Sequence, residues 1–303
     1  MKTALCVLIL LSGIHLLIPV LLAQSTGPVW TARTGATGTV ERHGQFRSAF
    51  VDARNVDVWL PPGYEQETGR RYPVLYMHDG QNLFDPGLSY AGVDWDIDGA
   101  MTRLIAEGKT GPAIVVGIWN TPKRLAEYMP QKAVPGGNLA GVPGISRESA
   151  EPIVSDNYLK FLVTELKPFV DARYRTLPGR PHTSIMGSSM GGLISIYALC
   201  EYPGVFGAAG CVSTHWPAGD GIVIEYLRTH LPDPQTHRVY FDYGTATLDA
   251  LYEPFQRRAD EVVKKAGFTE GINWVTRKFE GAEHSEKSWR ERAGIPLAFL
   301  LQP

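Results

Sequence analysis

Short runs rich in apolar residues recur along the chain at 73–77, 113–118, 208–212 and 239–243, with runs of strand length that mix in polar residues at 182–186 and 274–279. Each is too short for a helix and reads as a strand, the apolar ones buried on both faces. Between them lie longer stretches with helical spacing of apolar residues, at 95–107, 158–174, 193–200, 254–266 and 289–301. Gly108 is placed to close the first of these helices and Pro254 to open the fourth. Ahead of the alternation, 46–51 and 55–60 predict two antiparallel strands, the second ended by Pro61-Pro62-Gly63. Buried strands interleaved with helices predict an α/β fold, with a mainly parallel central sheet and helices on both faces.

Three stretches depart from this rhythm. Residues 130–155 carry prolines and glycines without periodicity, between a strand and a long helix. A loop of that length predicts a lid or substrate-facing insertion, not a second domain. Residues 24–44 are rich in Gly, Thr and Ser and predict a flexible lead-in. The first 23 residues pair Lys2 with an apolar run from Ala4 to Leu22 and end on Ala23. They predict a secretory signal peptide, with the mature chain secreted or periplasmic and free of stable membrane insertion once cleaved. The competing reading is an uncleaved anchor, which Ser12, Gly13, His15 and Pro19 weaken as a spanning helix. Residues 45–303 are expected to form one α/β domain without a large cap.

Composition narrows the function. Lys and Arg number 29 against 31 Asp and Glu, with no basic stripe, so no nucleic-acid partner is expected. Cys200 and Cys211 remain after Cys6 leaves with the signal. Export permits a bridge between them, but both sit in apolar surroundings and read as small core residues. No Cys-x-x-Cys or His-x-x-His spacing points to a metal, and no cofactor is expected.

The candidate chemistry centres on Gly187-Ser188-Ser189-Met190-Gly191, a G-x-S-x-G sequence. The pattern alone is weak, but here a buried strand leads in and an apolar helix leads out. That context predicts a nucleophilic Ser189 on a strained strand-to-helix turn. A serine nucleophile needs a base and an acid that orients it. In this topology they follow in the order acid, then His. His284 lies after the last predicted strand and is the expected base; His215 could line the pocket, and His230 and His237 flank a proline-rich turn. The acid is Asp242, inside the strand 239–243, or Asp249, in the loop beyond it. A loop position suits contact with a loop-borne histidine, which favours Asp249. The expected oxyanion donors are the backbone N–H groups of Met190 and Gln81. Trp119, Trp216 and Tyr90 are candidate pocket walls, suited to a sugar or phenolic group.

With the segments Val58–Tyr64, His78–Asp85, Glu127–Pro130, the Ser189 turn and Glu283-His284, the chain resembles the putative esterase family of α/β-hydrolases. That family includes esterase D, enterochelin-esterase-like proteins, feruloyl esterases and mycolyltransferases. The resemblance spans roughly residues 45–302 and implies a serine ester hydrolase acting on sugar, phenolic or siderophore esters. The expected partner is a small-molecule or carbohydrate-linked ester. The alternatives are an acyltransferase with the same triad and a non-catalytic binding protein on the same fold.

Overall fold

The computed structural model describes residues 29–143 and 151–302. The predicted signal segment lies outside the described residues. The chain builds a nine-stranded sheet in the order β1-β2-β3-β5-β4-β6-β7-β8-β9. The strands are β1 (Val29–Gly35), β2 (Gly38–Phe46), β3 (Arg54–Leu60), β4 (Val74–His78), β5 (Ile114–Ile118), β6 (Thr183–Ser188), β7 (Ala208–Val212), β8 (Arg238–Gly244) and β9 (Trp274–Phe279). Pairing is antiparallel from β1 through β3 to β5 and parallel from β5 to β9.

Every residue of β4, β5, β6 and β7 is buried, as expected of strands covered on both faces. One face packs under α2 (Arg124–Tyr128), α3 (Ser155–Phe161), α4 (Lys167–Arg173), α5 (Met190–Glu201), α6 (Ile222–His230) and α7 (Glu253–Lys265). The other packs under α1 (Ile97–Ala106), α8 (Glu286–Arg292) and α9 (Gly294–Leu300).

Four expectations need correction. The lead-in is not free chain: from Val29 onward it forms the β1–β2 hairpin. Its glycines make the turn. Gly38 has φ +98°, and a Cβ there would lie 2.3 Å from the Leu60 carbonyl oxygen. The strand expected at 46–51 is absent. A register shift between His43 and Phe46, with Gln45 at φ 49°, ends β2 at Phe46 and turns the chain off the sheet. The long helix of 158–174 begins at Ser155 and opens into a π turn over Leu162–Leu166. Pro168 explains it, because its ring crowds the carbonyl four residues back, at Thr164. The last helix starts at Glu286, where the Ser285 side chain caps it, and breaks at Ala293.

The 130–155 segment is anchored at both ends. Ala133, Val134, Leu139, Val142 and Ile153 are buried in the larger core. Lys132 pairs with Glu201 of α5. Both Cys200 and Cys211 are free thiols, the second fully buried.

Candidate active site

The register of the parallel strands sets the site. Ser188, Val212 and Asp242 stand level on β6, β7 and β8. Ser189 and Ser213, the next residues after β6 and β7, leave the sheet at its C-terminal edge, while β8 runs on to Gly244; open α/β sheets hold their ligands at this edge. Ser189 leaves at φ 57°, ψ −121°, a conformation costly for a residue with a side chain. Close packing enforces it. A Cβ on Gly187 would meet the Gly191 carbonyl oxygen at 2.8 Å, and one on Gly192 would meet Thr214 Oγ1 at 2.6 Å. At Gly191 the nearest atom would be 3.5 Å away, so that glycine of the motif is the less constrained. As the first residue of α5, Met190 has a backbone N–H with no acceptor inside the helix.

Asp249 and His284 arrive from different loops that are tied to each other. The Ala282 carbonyl accepts from the N–H groups of Thr245 (3.1 Å) and Ala246 (3.0 Å). Thr247 Oγ1 accepts from the N–H of His284 at 2.8 Å. A 3₁₀ turn over Thr247–Leu251 then brings Asp249 back beneath the histidine. Asp249 Oδ1 lies 2.5 Å from His284 Nδ1. Its Oδ2 accepts from the Gly244 N–H at 2.7 Å and from Ser213 Oγ at 2.5 Å. Burial opposes the charge of Asp249. The hydrogen bonds from His284, Ser213 and Gly244 outweigh it and hold the carboxyl below its ordinary range.

Asp242 occupies a different position. It accepts from the Ser213 N–H and from Arg292, both at 3.1 Å, and from the Tyr240 hydroxyl at 3.1 Å. It does not touch His284; burial pushes its carboxyl up against the pull of Arg292. Ser213 couples the two acids. Its hydroxyl donates to Asp249 and accepts from Trp289 Nε1 (3.0 Å) and Arg292 Nη2 (2.8 Å).

Tyr252 lies beside the nucleophile. Its hydroxyl lies 2.7 Å from His215 Nδ1, and the Ser189 side chain is among the groups that act on its titration. Its ring stands 5.6 Å from that of His284. Burial, aided by the charges of His284 and Arg124, lowers His215 to about 4, so its ring is neutral near pH 7.

Gln81 sits on the turn after β4, and Gly80 lets that turn lie against β5. A Cβ on Gly80 would meet the Gly117 carbonyl carbon at 2.4 Å. Asp79 braces the turn, accepting from Arg124 Nε and Nη2 (both 2.8 Å) and from Asn120 Nδ2 (2.6 Å). Burial opposes its charge, and Arg124 overrides that to keep it ionised. His78 is buried and lowered to about 3, with Nδ1 2.8 Å from the Tyr158 hydroxyl, so it is structural and neutral.

A cavity of 370 Å³ opens between this turn and α8, lined by Gln81, Tyr90, Asn120, Arg124, Ser188 and Trp289 among others. Tyr90 stands on its rim, 90% exposed. The other two aromatic candidates do not line it. Trp216 is fully buried; its indole donates to Gln256 Oε1 at 2.8 Å and its ring packs on Phe241. Trp119 turns toward β3, donating to Asp57 Oδ2 at 3.0 Å beneath the Arg42 guanidinium. Nor does any described residue of 130–155 line it. Trp289, Arg124, Ser213 and Tyr252 escape sequence reasoning. An indole four residues after a helix cap, an arginine in a loop, a serine ending an apolar strand and a tyrosine before a helix carry no signal that separates them from structural residues. Among the described residues, no group of three or more His, Cys, Asp or Glu gathers as a metal site.

Comparison with known proteins agrees with this architecture. The model of the family described as "Putative esterase" matches residues 48–293. Protein YbbA of Bacillus subtilis is 24% identical over 243 residues, covering 77% of this chain and 87% of its own. An endo-1,4-beta-xylanase/feruloyl esterase of Xylanibacter ruminicola is 26% identical over 248 residues, covering 78% of this chain but 28% of its own. Among solved structures, a ferulic acid esterase superposes with a TM-score of 0.61 at 20% identity, covering 86% of this chain and 97% of its own. An IroE-like serine hydrolase from Shewanella oneidensis gives 0.65 at 20% identity, covering 86% and 79%. The fold is that of the α/β-hydrolases, the chain belongs to the putative esterase family, and its activity is that of a carboxylic ester hydrolase.

Proposed function

We propose that this esterase cleaves its substrate through an acyl-enzyme, with Ser189 as nucleophile, His284 as base and Asp249 as orienting acid. The observation that carries the reading is the 2.5 Å contact between Asp249 Oδ1 and His284 Nδ1, with Oδ2 of the same carboxylate held by Gly244 and Ser213. A carboxylate so fixed keeps the His284 proton on Nδ1 and leaves Nε2 free to accept one. Ser189 Oγ attacks the ester carbonyl carbon as its proton passes to Nε2. The developing oxyanion is held by the N–H groups of Met190 and Gln81. His284 then protonates the departing alcohol as the C–O bond breaks. Water, deprotonated by the same nitrogen, releases the acid and restores Ser189.

The cavity supports a polar ester. Arg124, Asn120 and Gln81 offer hydrogen bonds, and Trp289 and Tyr90 offer flat apolar faces. That suits sugar, phenolic or siderophore esters, as small molecules or linked to carbohydrate. The relatives' printed names point the same way. Export through cleavage after Ala23 completes the reading, and N-terminal sequencing of mature protein beginning at Gln24 tests it.

The decisive experiment pairs a fluorophosphonate probe with a panel of p-nitrophenyl, feruloyl, acetyl-sugar and catecholate esters. The wild type labels at Ser189. Ser189→Ala folds, fails to label, and loses roughly 10⁴- to 10⁶-fold in kcat. Labelling at Ser188, or full activity in the alanine variant, refutes the assignment.

A further inference from the structure

A second cavity, of 820 Å³, lies at the opposite end of the sheet from Ser189. Its walls are the segments that lead into the strands. Pro73 precedes β4, Pro112 precedes β5, Gly207 precedes β7, and Asn273 precedes β9; Ser184 and Arg238 lie at the starts of β6 and β8. In sheet order these strands run β5-β4-β6-β7-β8-β9. At about 4.8 Å per strand spacing the groove crosses about 24 Å of the sheet edge.

Its charge is one-sided. Arg70, Arg71, Arg238, His182 and His237 line it, and among the described residues no Asp or Glu does. This contrasts with a chain whose acids slightly outnumber its bases. The guanidinium groups are anchored, but mostly not neutralised. Arg71 donates to the Thr176 carbonyl at 3.2 Å. Arg238 donates to the Leu300 carbonyl at 3.0 Å and to Gln302 Oε1 at 3.3 Å. Beside the groove, Arg180 donates to the Thr236 carbonyl at 2.9 Å. Among the described residues, only Arg70 of these has an acidic partner, Glu67, in an exposed pair at the margin. For Arg238, burial alone acts on the charge, and it disfavours it. A half-buried cation without a counter-ion is costly, and an anionic ligand relieves that cost.

The shape narrows the ligand. A recessed groove excludes the flat face of a membrane. No Trp, Tyr or Phe lines it to stack on a sugar ring. Its apolar lining is mainly proline and aliphatic, and its polar side chains are guanidinium, imidazole, amide and hydroxyl. An extended peptide advances about 3.3 Å per residue, so about six or seven residues span the groove. We propose that this groove at the N-terminal edge of the sheet binds an extended acidic peptide segment, with carboxylates meeting Arg71 on one side and Arg238 on the other.

The test uses the full mature chain and a fluorescein-labelled hexaglutamate, read by anisotropy. Wild-type protein binds it, and binding weakens about tenfold or more between about 20 mM and about 200 mM salt. Arg71→Gln/Arg238→Gln lowers affinity about tenfold or more. Because those two side chains also hold carbonyls, a second variant, Arg70→Gln/His182→Gln, changes only side chains without such anchors and weakens binding in the same direction. Circular dichroism melting checks folding. Hydrolysis of a small soluble ester at Ser189 stays unchanged in both variants, which separates this site from the catalytic one. No binding of hexaglutamate, binding indifferent to salt, equal binding in all three proteins, or binding only to a sulfated polysaccharide or to anionic vesicles overturns the proposal.

Discussion

Asp249→Asn is the most discriminating single change in this protein. The carboxylate has two oxygens with fixed obligations. Oδ2 accepts from the Gly244 backbone N–H at 2.7 Å, a donor that cannot reverse its role. An asparagine must therefore keep its carbonyl oxygen there and present its NH₂ to His284 Nδ1, 2.5 Å away. An NH₂ donates, so Nδ1 must become the acceptor and the ring proton moves to Nε2. That nitrogen can then no longer take the Ser189 proton. The shape survives and the tautomer is wrong, so kcat falls about 10⁴-fold near neutral pH, the general scale for this change in a serine triad. Asp242→Asn is the control. Its oxygens face Ser213 N–H, Arg292 and the Tyr240 hydroxyl, none of them His284. Weakening a buried ion pair costs stability, about 1–3 kcal/mol when the hydrogen bonds can still form, and leaves most of the rate. Steady-state kinetics on a p-nitrophenyl ester, with thermal melts on both variants, decide the matter. A folded Asp242→Asn variant that is inactive, beside an Asp249→Asn variant of near wild-type rate, refutes the reasoning.

Three further outcomes follow from the geometry. Tyr252→Phe keeps the buried ring but removes the hydroxyl bonded to His215 beside the nucleophile; losing one positioning hydrogen bond of about 1 kcal/mol predicts a fall of about fivefold in kcat/KM, and an unchanged rate counts against that role. Gly187→Ala forces a Cβ to within 3.0 Å of the Gly191 backbone and destabilises by about 1–3 kcal/mol, whereas Gly191→Ala makes only ordinary contacts and shifts the melting temperature far less; equal shifts would contradict the packing account. His78 and His215 are held neutral by burial, at about 3 and about 4, so the unfolded chain binds more protons than the folded one from pH 6.5 downward, and thermal stability declines on acidification through that window, less steeply in His215→Asn.

Most of the architecture is legible because its signal is local. A strand buried on both faces is mostly apolar, and β4, β5 and β7 announce themselves this way. The hairpin of β1 and β2 is illegible for the converse reason. Its run of Gly and Thr reads as a linker, and only pairing of β1 with β2 and of β2 with β3 gives those residues a strand's hydrogen bonds. The π turn before Pro168 depends on a clash four residues back, which periodicity does not register. At Phe46 the turn off the sheet rests on a single positive φ at Gln45, a residue with no special claim to it.

The site divides along the same line. Ser189 is legible because strand, turn and helix around it are contiguous, and their spacing alone implies the strained backbone. Asp249 and His284 are 35 residues apart and meet only because the Ala282 carbonyl ties two loops together. Chain order makes them candidates; the loop geometry brings them within hydrogen-bond distance. Trp216 and Trp119 show the limit of that logic. Both follow strand ends on the right edge, yet a strand end fixes where a backbone leaves the sheet, not where its side chains go. Trp216 found Gln256 in the core, and Trp119 found Asp57 on β3. An indole N–H removed from water needs an acceptor, and the nearest acceptor decides its direction. Trp289 obeys the same rule, with Ser213 as its acceptor. Because Ser213 also supports Asp249, satisfying that N–H sets the indole 4.9 Å from the His284 ring and on the cavity wall. The aromatic wall of this site is therefore a consequence of the hydrogen bonds that hold the acid.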